Sequence, residues 1–361
     1  MAARFLVTYH VRASAETIAA RAQAIAVEQS VEMPLEAIDT ASILRDIVGK
    51  VADITDLGTG VFAVRIALAT ATIGGDGAQL LNMLFGNSSL QDDVVLADVE
   101  VPAGLARAFG GPRHGIAGLR RRAAAEARAL TCSALKPQGL PAERLAALAA
   151  RFADGGVDFI KDDHGLADQS YSPFADRVRA CAAALRGHRT RYVPSLSGSL
   201  DAMRAQVRLA RDEGVDTVLI APLLAGFSTM QALVAAFPDI AFMAHPSFGG
   251  AARIAPDLLI GKLFRLLGAD AVIFPTHGGR FAYSPDTCRR LAETARAPLH
   301  DLRPALPVPA GGMTLARVPE ILDFYGPDTM LLIGGSLLLA RDRLTAETAA
   351  FTARVAAHRY R

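Results

Sequence analysis

The sequence is poor in several residue types, and each scarcity excludes a class of protein. Its 361 residues contain no tryptophan and only three cysteines, Cys132, Cys181 and Cys288. Three isolated cysteines form neither a disulfide framework nor a metal or redox motif, so we expect a reducing, cytoplasmic location. No apolar run reaches about 18 residues, and the N-terminus enters a strand pattern directly. Neither a transmembrane helix nor a signal peptide is therefore expected.

An excess of charge of either sign is also missing. The chain has 38 Lys and Arg against 36 Asp and Glu, for a net charge of +2. Without a basic run, neither a nucleic acid nor a membrane surface is expected as the main partner. Lysine itself is scarce, because only Lys50, Lys136, Lys161 and Lys262 occur. Two of the four follow apolar strand patterns, which favours a chemical use for them.

The first 105 residues or so predict a small α/β sandwich. Strand patterns cover 5–11, 51–54, 61–68 and 94–101, and helical patterns cover 15–26 and 79–85. Ser14 is a candidate N-cap for the first helix. The order β-α-β-β-α-β predicts a ferredoxin-like α+β domain. A linker rich in Gly and Pro at 110–115 places this domain at 1–110 and a second domain at 111–361.

The second domain alternates short apolar strands with alanine-rich helices. The predicted strands are 131–135, 159–161, 192–195, 217–221, 241–245, 271–275, 306–309 and 330–333. Eight such repeats predict a (β/α)₈ TIM barrel, in an α/β protein overall. A barrel of this kind carries its chemistry on the loops that follow the carboxyl ends of the strands.

The second barrel strand ends in an unusual concentration of charge. Apolar residues 157–160, apart from Asp158, lead into Lys161, Asp162, Asp163 and His164. Ionisable groups at the end of a buried strand are costly unless they meet a metal, a ligand or each other. A solvated loop is the alternative. Asp163 and His164 could hold a divalent metal: carboxylates suit Mg²⁺, and an imidazole shifts the preference toward Mn²⁺, Fe²⁺ or Zn²⁺.

Other polar residues follow the remaining strands. Lys136 ends the first strand and could act as a base if its surroundings lower its pKa, or it could be a surface lysine. His245 ends the fifth strand and is either a catalyst or a packed core residue. His277 and Arg280 lie in a loop that could fold over a substrate, or in a plain surface loop.

Two glycine pairs follow the last two strands. Gly311-Gly312 and Gly334-Gly335 allow backbone N–H groups to approach a phosphate closely, and each pair precedes a helix. Ordinary helix-entry glycine is the alternative. Two pairs on adjacent strands favour a phosphate site.

Six stretches, in chain order, resemble the large subunit of ribulose bisphosphate carboxylase (RuBisCO). Residues 155–164 resemble the metal-site motif of that family, and 135–140 resemble its K-P-K-x-G-L motif. Residues 310–313 and 333–336 resemble its glycine-rich phosphate segments, while 26–30 and 85–87 resemble two N-terminal segments. The resemblance implies a divalent metal such as Mg²⁺, held by Lys161 as a carbon dioxide carbamate together with Asp163 and His164. It also implies a homodimer, in which Glu28 and Asn87 complete the partner's site.

The chain departs from the family pattern at several of its functional positions. His164 replaces a metal-binding Glu, Gln138 replaces a lysine, and the loop-6 lysine is absent, with Arg280 the nearest cation. The positions that hold a second phosphate in the family are here occupied by Pro246, Ile273 and Ala310. These losses fit a substrate with one phosphate and a less polar end, such as a thioether, near Pro246 and Ile273. The resemblance therefore implies a non-carboxylating RuBisCO-like protein.

That branch suggests an enzyme that moves a proton next to the carbonyl of a phosphorylated ketose, through an enediolate. Lys136 or the Lys161 carbamate would move the proton, with His245 as a helper. We rank 5-methylthioribulose 1-phosphate isomerase first. The 2,3-diketo-5-methylthiopentyl 1-phosphate enolase ranks second, because its lysine base corresponds to Asn87 here. A decarboxylase of a sugar-acid phosphate is a third possibility. A binding or regulatory protein that kept the fold is the competing class, and the presence of Lys136, Lys161 and Asp163 argues against it.

Overall fold

The chain divides into two compact units. The structure, a computed structural model, describes residues 3–279, 281 and 283–360. One unit comprises Met1–Phe109 and Phe248–Leu259, and the other comprises Gly110–Ser247 and Ile260–Arg361. The boundary after residue 110 was inferred from sequence alone and stays a prediction, and nothing in the sequence indicates that 248–259 groups with the first unit. In the part of the chain that is described, no helix combines the length and hydropathy needed to cross a membrane.

The first unit is built on a four-stranded antiparallel sheet, as the sequence predicts. Its strands run in the order β2-β3-β1-β4. They are β1 (Arg4–Arg12), β2 (Lys50–Asp56), β3 (Val61–Ala69) and β4 (Val94–Val99). The helices are α1 (Ile18–Glu28), α2 (Ala41–Asp46), α3 (Gly77–Phe85) and α4 (Ala103–Phe109). Burial alternates along β1 and β3 because one face of the sheet packs against the helices. The N-cap of α1 is Thr17, so the prediction of Ser14 was wrong.

The segment 248–259 pairs with the edge of this sheet. The backbone N–H of Leu96 donates to the carbonyl of Arg253 at 3.0 Å, and that of Ala255 donates to the carbonyl of Leu96 at 2.9 Å. Arg253 also pairs with Asp92 at 2.9 Å. The edge of β4 is thus partly covered, which limits its pairing with other chains.

The second unit is a barrel of eight parallel strands, as the sequence predicts. The strands are β5 (Leu130–Leu135), β6 (Phe159–Asp162), β7 (Arg191–Val193), β8 (Thr217–Ile220), β9 (Ala241–Ala244), β10 (Ala271–Pro275), β11 (Leu306–Ala310) and β12 (Met330–Leu332). Neighbouring strands follow the order β7-β6-β5-β12-β11-β10-β9-β8, and a bridge between Ser195 and Leu219 joins the two ends. Strand β7 ends earlier than expected, because Pro194 has no N–H to donate.

Helices cover the outside of the barrel, so the strands are buried on both faces. The helices are α5 (Gly115–Ala123), α6 (Ala142–Asp154), α7 (Phe174–Ala184), α8 (Leu200–Asp212), α9 (Pro222–Ala225), α10 (Phe227–Ala236), α11 (Phe264–Leu266), α12 (Pro285–Arg296), α13 (Val318–Tyr325), α14 (Gly335–Leu338) and α15 (Leu344–Ala357). Short 3₁₀ segments occupy Leu35–Ala37, Thr70–Thr72, Asn87–Leu90, Leu315–Arg317 and Arg341–Arg343, and a π-helical segment occupies Asp257–Leu263. The interior is filled by side chains such as Phe159, Met243 and Ile273. Within the described residues of the barrel, these side chains fill the interior and leave no channel through it. In this fold the active site lies instead on the loops that follow the carboxyl ends of the strands.

Candidate active site

The predicted lysines and the acidic motif meet at the carboxyl end of the barrel. Strands β5 and β6 are neighbours, with Ala134 opposite Lys161 and Leu135 opposite Asp162. Lys136 leaves β5 directly after this pair, and Asp163 leaves β6. The parallel register therefore brings together residues that lie 27 positions apart in the chain.

Asp163 is the centre of this cluster. Its Oδ1 lies 2.6 Å from the Nζ of Lys136 and 3.3 Å from the Nδ1 of His164. Burial by itself would raise the pKa of Asp163, but hydrogen bonds from His164 and Lys136 outweigh it and hold the pKa well below its usual range. Asp163 is therefore a carboxylate at neutral pH, and it fixes the position of the Lys136 amine.

Lys161 is enclosed in the barrel wall. The residue is 3% exposed, and its Nζ donates to the carbonyl of Asp162 at 2.7 Å. Burial lowers the pKa of Lys161, and the charge of Lys136 lowers it further. A lowered pKa increases the fraction of Lys161 that is a neutral amine, and the neutral amine is the form that adds to carbon dioxide.

A buried ion pair supports this strand end from behind. Arg177 on α7 and Asp162 are both fully buried, and the Arg177 Nε donates to the carboxylate of Asp162 at 3.0 Å. The hydroxyl of Tyr192 and the backbone N–H of Ser195 donate to the same carboxylate at 2.7 and 3.0 Å. Sequence reasoning missed Arg177 and Tyr192, because an arginine in a helix usually indicates a solvated surface.

His245 stacks on His164. The two rings are 4.6 Å apart between centroids, with 5° between their planes. Burial, with the nearby charge of Lys161, lowers the pKa of His245 to about 2. The Nδ1 of His245 accepts a hydrogen bond from the backbone N–H of Ser247 at 3.2 Å. The Ser247 hydroxyl also lies 2.7 Å from this nitrogen. Since a backbone N–H can only donate, we assign the proton of the neutral ring to Nε2.

The side chains around Asp163 could bind a divalent metal only if a further ligand, a carbamate on Lys161, were added to them. Within residues 3–279, 281 and 283–360, no group of three His, Cys, Asp or Glu side chains is placed to hold a metal ion. Asp163 and His164 are adjacent and supply two donors. A third donor requires Lys161 to carry an anionic carbamate, which its buried, less basic amine favours. With the carbamate, the oxygen and imidazole donors fit a divalent cation.

The two glycine loops lie side by side. Gly311 and Gly312 have φ angles of 77° and 64°, and a Cβ on Gly312 would lie 2.4 Å from the Cα of Gly279. The Ser336 hydroxyl donates to the carbonyl of Met313 at 2.8 Å and joins this loop to the one that contains Gly334 and Gly335. A phosphate-binding role for both loops stays a prediction.

Other sequence predictions had different outcomes. Asn87 donates hydrogen bonds to the carboxylates of Glu28 and Glu32, each at 2.9 Å, so Glu28 and Asn87 do meet within the first unit. Their role in a partner's site stays a prediction. Ile273 is 2% exposed in the barrel core, and its contact with a substrate stays a prediction. His277 packs on the ring of Phe324, and Arg280 lies outside the described residues.

A cavity that the sequence did not indicate opens beside the histidine stack. Its volume is about 130 Å³. Its lining comes mainly from the loops after β7 and β8, and consists of His164, Ser195, Leu196, Ser197, Gly198, Met203, Leu219, Ala221, Leu224, Ala225 and His245. We call it the β7–β8 cavity.

Sequence comparison agrees with this architecture. Residues 115–357 match the family of the ribulose bisphosphate carboxylase large chain, catalytic domain. A 5-methylthioribulose-1-phosphate isomerase of Rhodospirillum rubrum is 62% identical over 99% of this chain and 97% of its own length. Ribulose bisphosphate carboxylase-like protein 1 of Rhodopseudomonas palustris is 56% identical over 99% of both chains.

Solved structures show the same similarity. The crystal structure of a Rubisco-like protein from Rhodopseudomonas palustris superposes with a TM-score of 0.93, at 52% identity and 99% coverage of both chains. A rubisco-like protein from Alicyclobacillus acidocaldarius superposes with a TM-score of 0.90, at 30% identity, and covers 98% of this chain and 94% of its own. The chain therefore belongs to the RuBisCO large-chain family and, within it, to the RuBisCO-like proteins.

Proposed function

We propose that this protein isomerises 5-methylthioribulose 1-phosphate by moving a proton next to the carbonyl, through an enediolate, and does not fix carbon dioxide. The observation that carries the proposal is the convergence of Lys136, Lys161, Asp163 and a neutral His245 at one barrel mouth. Such a cluster can transfer a proton and stabilise the resulting oxyanion. The substrate follows from the similarity to the Rhodospirillum rubrum isomerase over nearly the whole chain.

Lys136 is the proton-transfer residue in this proposal. Its side chain is 36% exposed at the mouth, so it can reach a substrate. The carboxylate of Asp163, 2.6 Å away, holds its amine in place. Lys161 is too enclosed for this task as a free amine, because its Nζ is already bonded to the carbonyl of Asp162.

His245 acts in this proposal as a neutral hydrogen-bond donor. Its Nδ1 contacts the backbone N–H and the hydroxyl of Ser247, and in this proposal its Nε2 carries the proton. A neutral N–H beside the substrate would stabilise an oxyanion without a change in the charge of the ring. The stack on His164 fixes the plane of the ring.

Lys161 as a carbamate, Asp163 and His164 would hold a divalent cation such as Mg²⁺. When bound, the cation would polarise the substrate carbonyl and stabilise the enediolate. The backbone N–H groups of the Gly311-Gly312 and Gly334-Gly335 loops would bind the single phosphate. We further propose a cytoplasmic homodimer, in which Glu28 and Asn87 of one subunit complete the partner's site.

The enolase reaction is disfavoured by the environment of Asn87. An amide cannot take the place of a lysine base, and Asn87 donates to two carboxylates, those of Glu28 and Glu32. Relatives named 2,3-diketo-5-methylthiopentyl-1-phosphate enolase match at lower identity, for example 36% over 76% of this chain in Geobacillus kaustophilus. A sugar-acid phosphate decarboxylase and a non-catalytic protein remain as outcomes of the test.

The test follows the reaction in deuterated water. The protein is incubated with 5-methylthioribulose 1-phosphate, Mg²⁺ and bicarbonate, and NMR detects product and deuterium at carbon. We expect both in the wild type, and a decrease of roughly 10²–10⁴-fold in Lys136→Met. Lys50→Met, an exposed lysine of β2, is the control and should keep full activity. Absence of both signals would reject the isomerase, and full activity of Lys136→Met would remove Lys136 from the mechanism.

The carbamate has a separate readout. Carbon-13 bicarbonate should give a carbamate resonance in the wild type that is lost in Lys161→Met. A wild-type protein that isomerises the substrate without this resonance would contradict the proposed metal site but not the reaction.

A further inference from the structure

We propose that the β7–β8 cavity binds the alkylthio end of the substrate and excludes a second phosphate, an inference that rests on the proposed function. The cavity lies directly against the site, because His164 and His245 are among its lining residues. A ketose phosphate whose carbonyl lies beside these two histidines would therefore extend its far end into the cavity. This assigns a specificity site that differs from the Pro246 and Ile273 side expected from sequence.

Most residues that line the cavity are apolar. Leu196, Met203, Leu219 and Leu224 are the large apolar residues of the wall, and Ala221 and Ala225 are small ones. Among the lining residues that the structure describes, none is Lys, Arg, Asp or Glu. A phosphate dianion needs cations or clustered N–H donors, and its transfer to an apolar wall is costly.

A thioether suits this wall better than a hydrocarbon of the same length. Sulfur is polarisable and packs well against irregular apolar surfaces, including another thioether such as that of Met203. Met203 is 2% exposed and lines the cavity, so a thioether already lies in its wall. The volume of about 130 Å³ is far above the roughly 10–15 Å³ that one water requires, and it leaves room for several heavy atoms.

Leu224 marks the entrance of the cavity. It is one of the large apolar residues that are exposed, with 65% of its surface in contact with solvent. An apolar substrate end that enters beside Leu224 would cover part of this surface. The backbone N–H of Ser195 already donates to Asp162 and that of Ser197 to Gln206, so neither N–H is available to bind a phosphate.

The test compares two ligands that differ only at carbon 5. These are 5-methylthioribulose 1-phosphate and 5-deoxyribulose 1-phosphate, in which hydrogen replaces the SCH₃ group. Dissociation constants from calorimetry and kcat/KM values are measured for both. We expect the wild type to prefer the methylthio compound by roughly 10–200-fold, the range that an apolar pocket gives for small apolar groups. Ribulose 1,5-bisphosphate should compete more weakly than either.

Two variants connect this preference to the cavity. Ala221→Leu fills it and should remove most of the preference, because the added side chain takes the space of the methylthio group. Leu224→Ser should reduce the preference a few-fold, and since Leu224 is exposed the variant keeps its core intact. Ala235→Leu, on the exposed part of α10, is the matched control and should keep the wild-type preference.

The outcomes separate this inference from the proposed function. A wild type that binds the two ligands with the expected ratio but isomerises neither would reject the isomerase and support the cavity. A wild type that isomerises both equally well would overturn the cavity and keep the reaction. Failure to bind either ligand, tight competition by the bisphosphate, or a preference that survives in Ala221→Leu would also overturn the inference.

Discussion

Replacement of Arg177 by methionine tests whether the buried ion pair holds the candidate active site together. The guanidinium of Arg177 donates to Asp162 at 3.0 Å, and to the carbonyls of Ser172 and Ala167 at 2.7 Å each. It therefore connects the end of β6 to the loop that follows the metal motif. Methionine has a similar length and no charge, so the variant leaves Asp162 buried without its cation.

The magnitude follows from the burial of both partners. Arg177 and Asp162 are each fully buried, and removal of one partner from a buried pair costs about 3–5 kcal/mol. For a unit of this size, about 1 kcal/mol corresponds to roughly 2–4 °C in melting temperature. We therefore expect a decrease of roughly 6–20 °C. Arg177→Lys keeps the charge but not the planar fork, and it should lie between methionine and wild type.

Arg179→Met is the matched control on the same helix. Its side chain is 58% exposed and lies 3.5 Å from Glu213, so its loss should cost less than about 1 kcal/mol. Differential scanning calorimetry measures the melting temperatures. Hydrogen exchange should show faster exchange in residues 163–173 of Arg177→Met only. Equal melting temperatures and equal exchange in the two methionine variants would refute the supporting role of the pair.

Two further predictions concern His245 and the glycine loops. The pKa of His245 is lowered to about 2 in the folded protein, against about 6.5 for a free imidazole. The unfolded chain therefore gains a proton that the folded protein does not, and stability falls as the pH drops below 6.5, by up to about 1.4 kcal/mol per unit. Between pH 7 and 5, the melting temperature of His245→Gln should fall less than that of the wild type. His188→Gln, at an exposed position, is the control and should behave like the wild type. If the melting temperature of His245→Gln fell as much with pH as that of the wild type, this would contradict a buried neutral ring. Gly312→Ala should lower the melting temperature and raise KM for the sugar phosphate, because its Cβ would clash with the backbone of Gly279 and its φ is 64°. Gly335→Ala, with open space around it, should keep its melting temperature, and equal losses in the two variants would show that the clash is not the cause.

The sequence predicted the architecture because its hydrophobic periodicity is local. All eight barrel strands and the four strands of the first unit occur where short apolar patterns stand between helical ones. The barrel mouth was also predictable, since Lys136, Lys161, Asp163 and His245 each follow an apolar strand. Parallel strands place their carboxyl ends at one end of the barrel, so chain position alone indicates that such residues lie at the same mouth.

What the sequence could not decide depends on contacts between distant positions. The direction of Ile273 into the core is set by the register of β10 among its neighbours, which a one-residue shift would reverse. The proton position on His245 depends on the backbone of Ser247, and the pairing of Arg177 with Asp162 depends on how α7 packs behind β6. The β7–β8 cavity exists only because two loops and α8 leave a space between them. Composition and spacing therefore determined the fold and the position of the mouth, whereas the tertiary structure decided which side chains meet there, because charge state and pocket shape arise from packing.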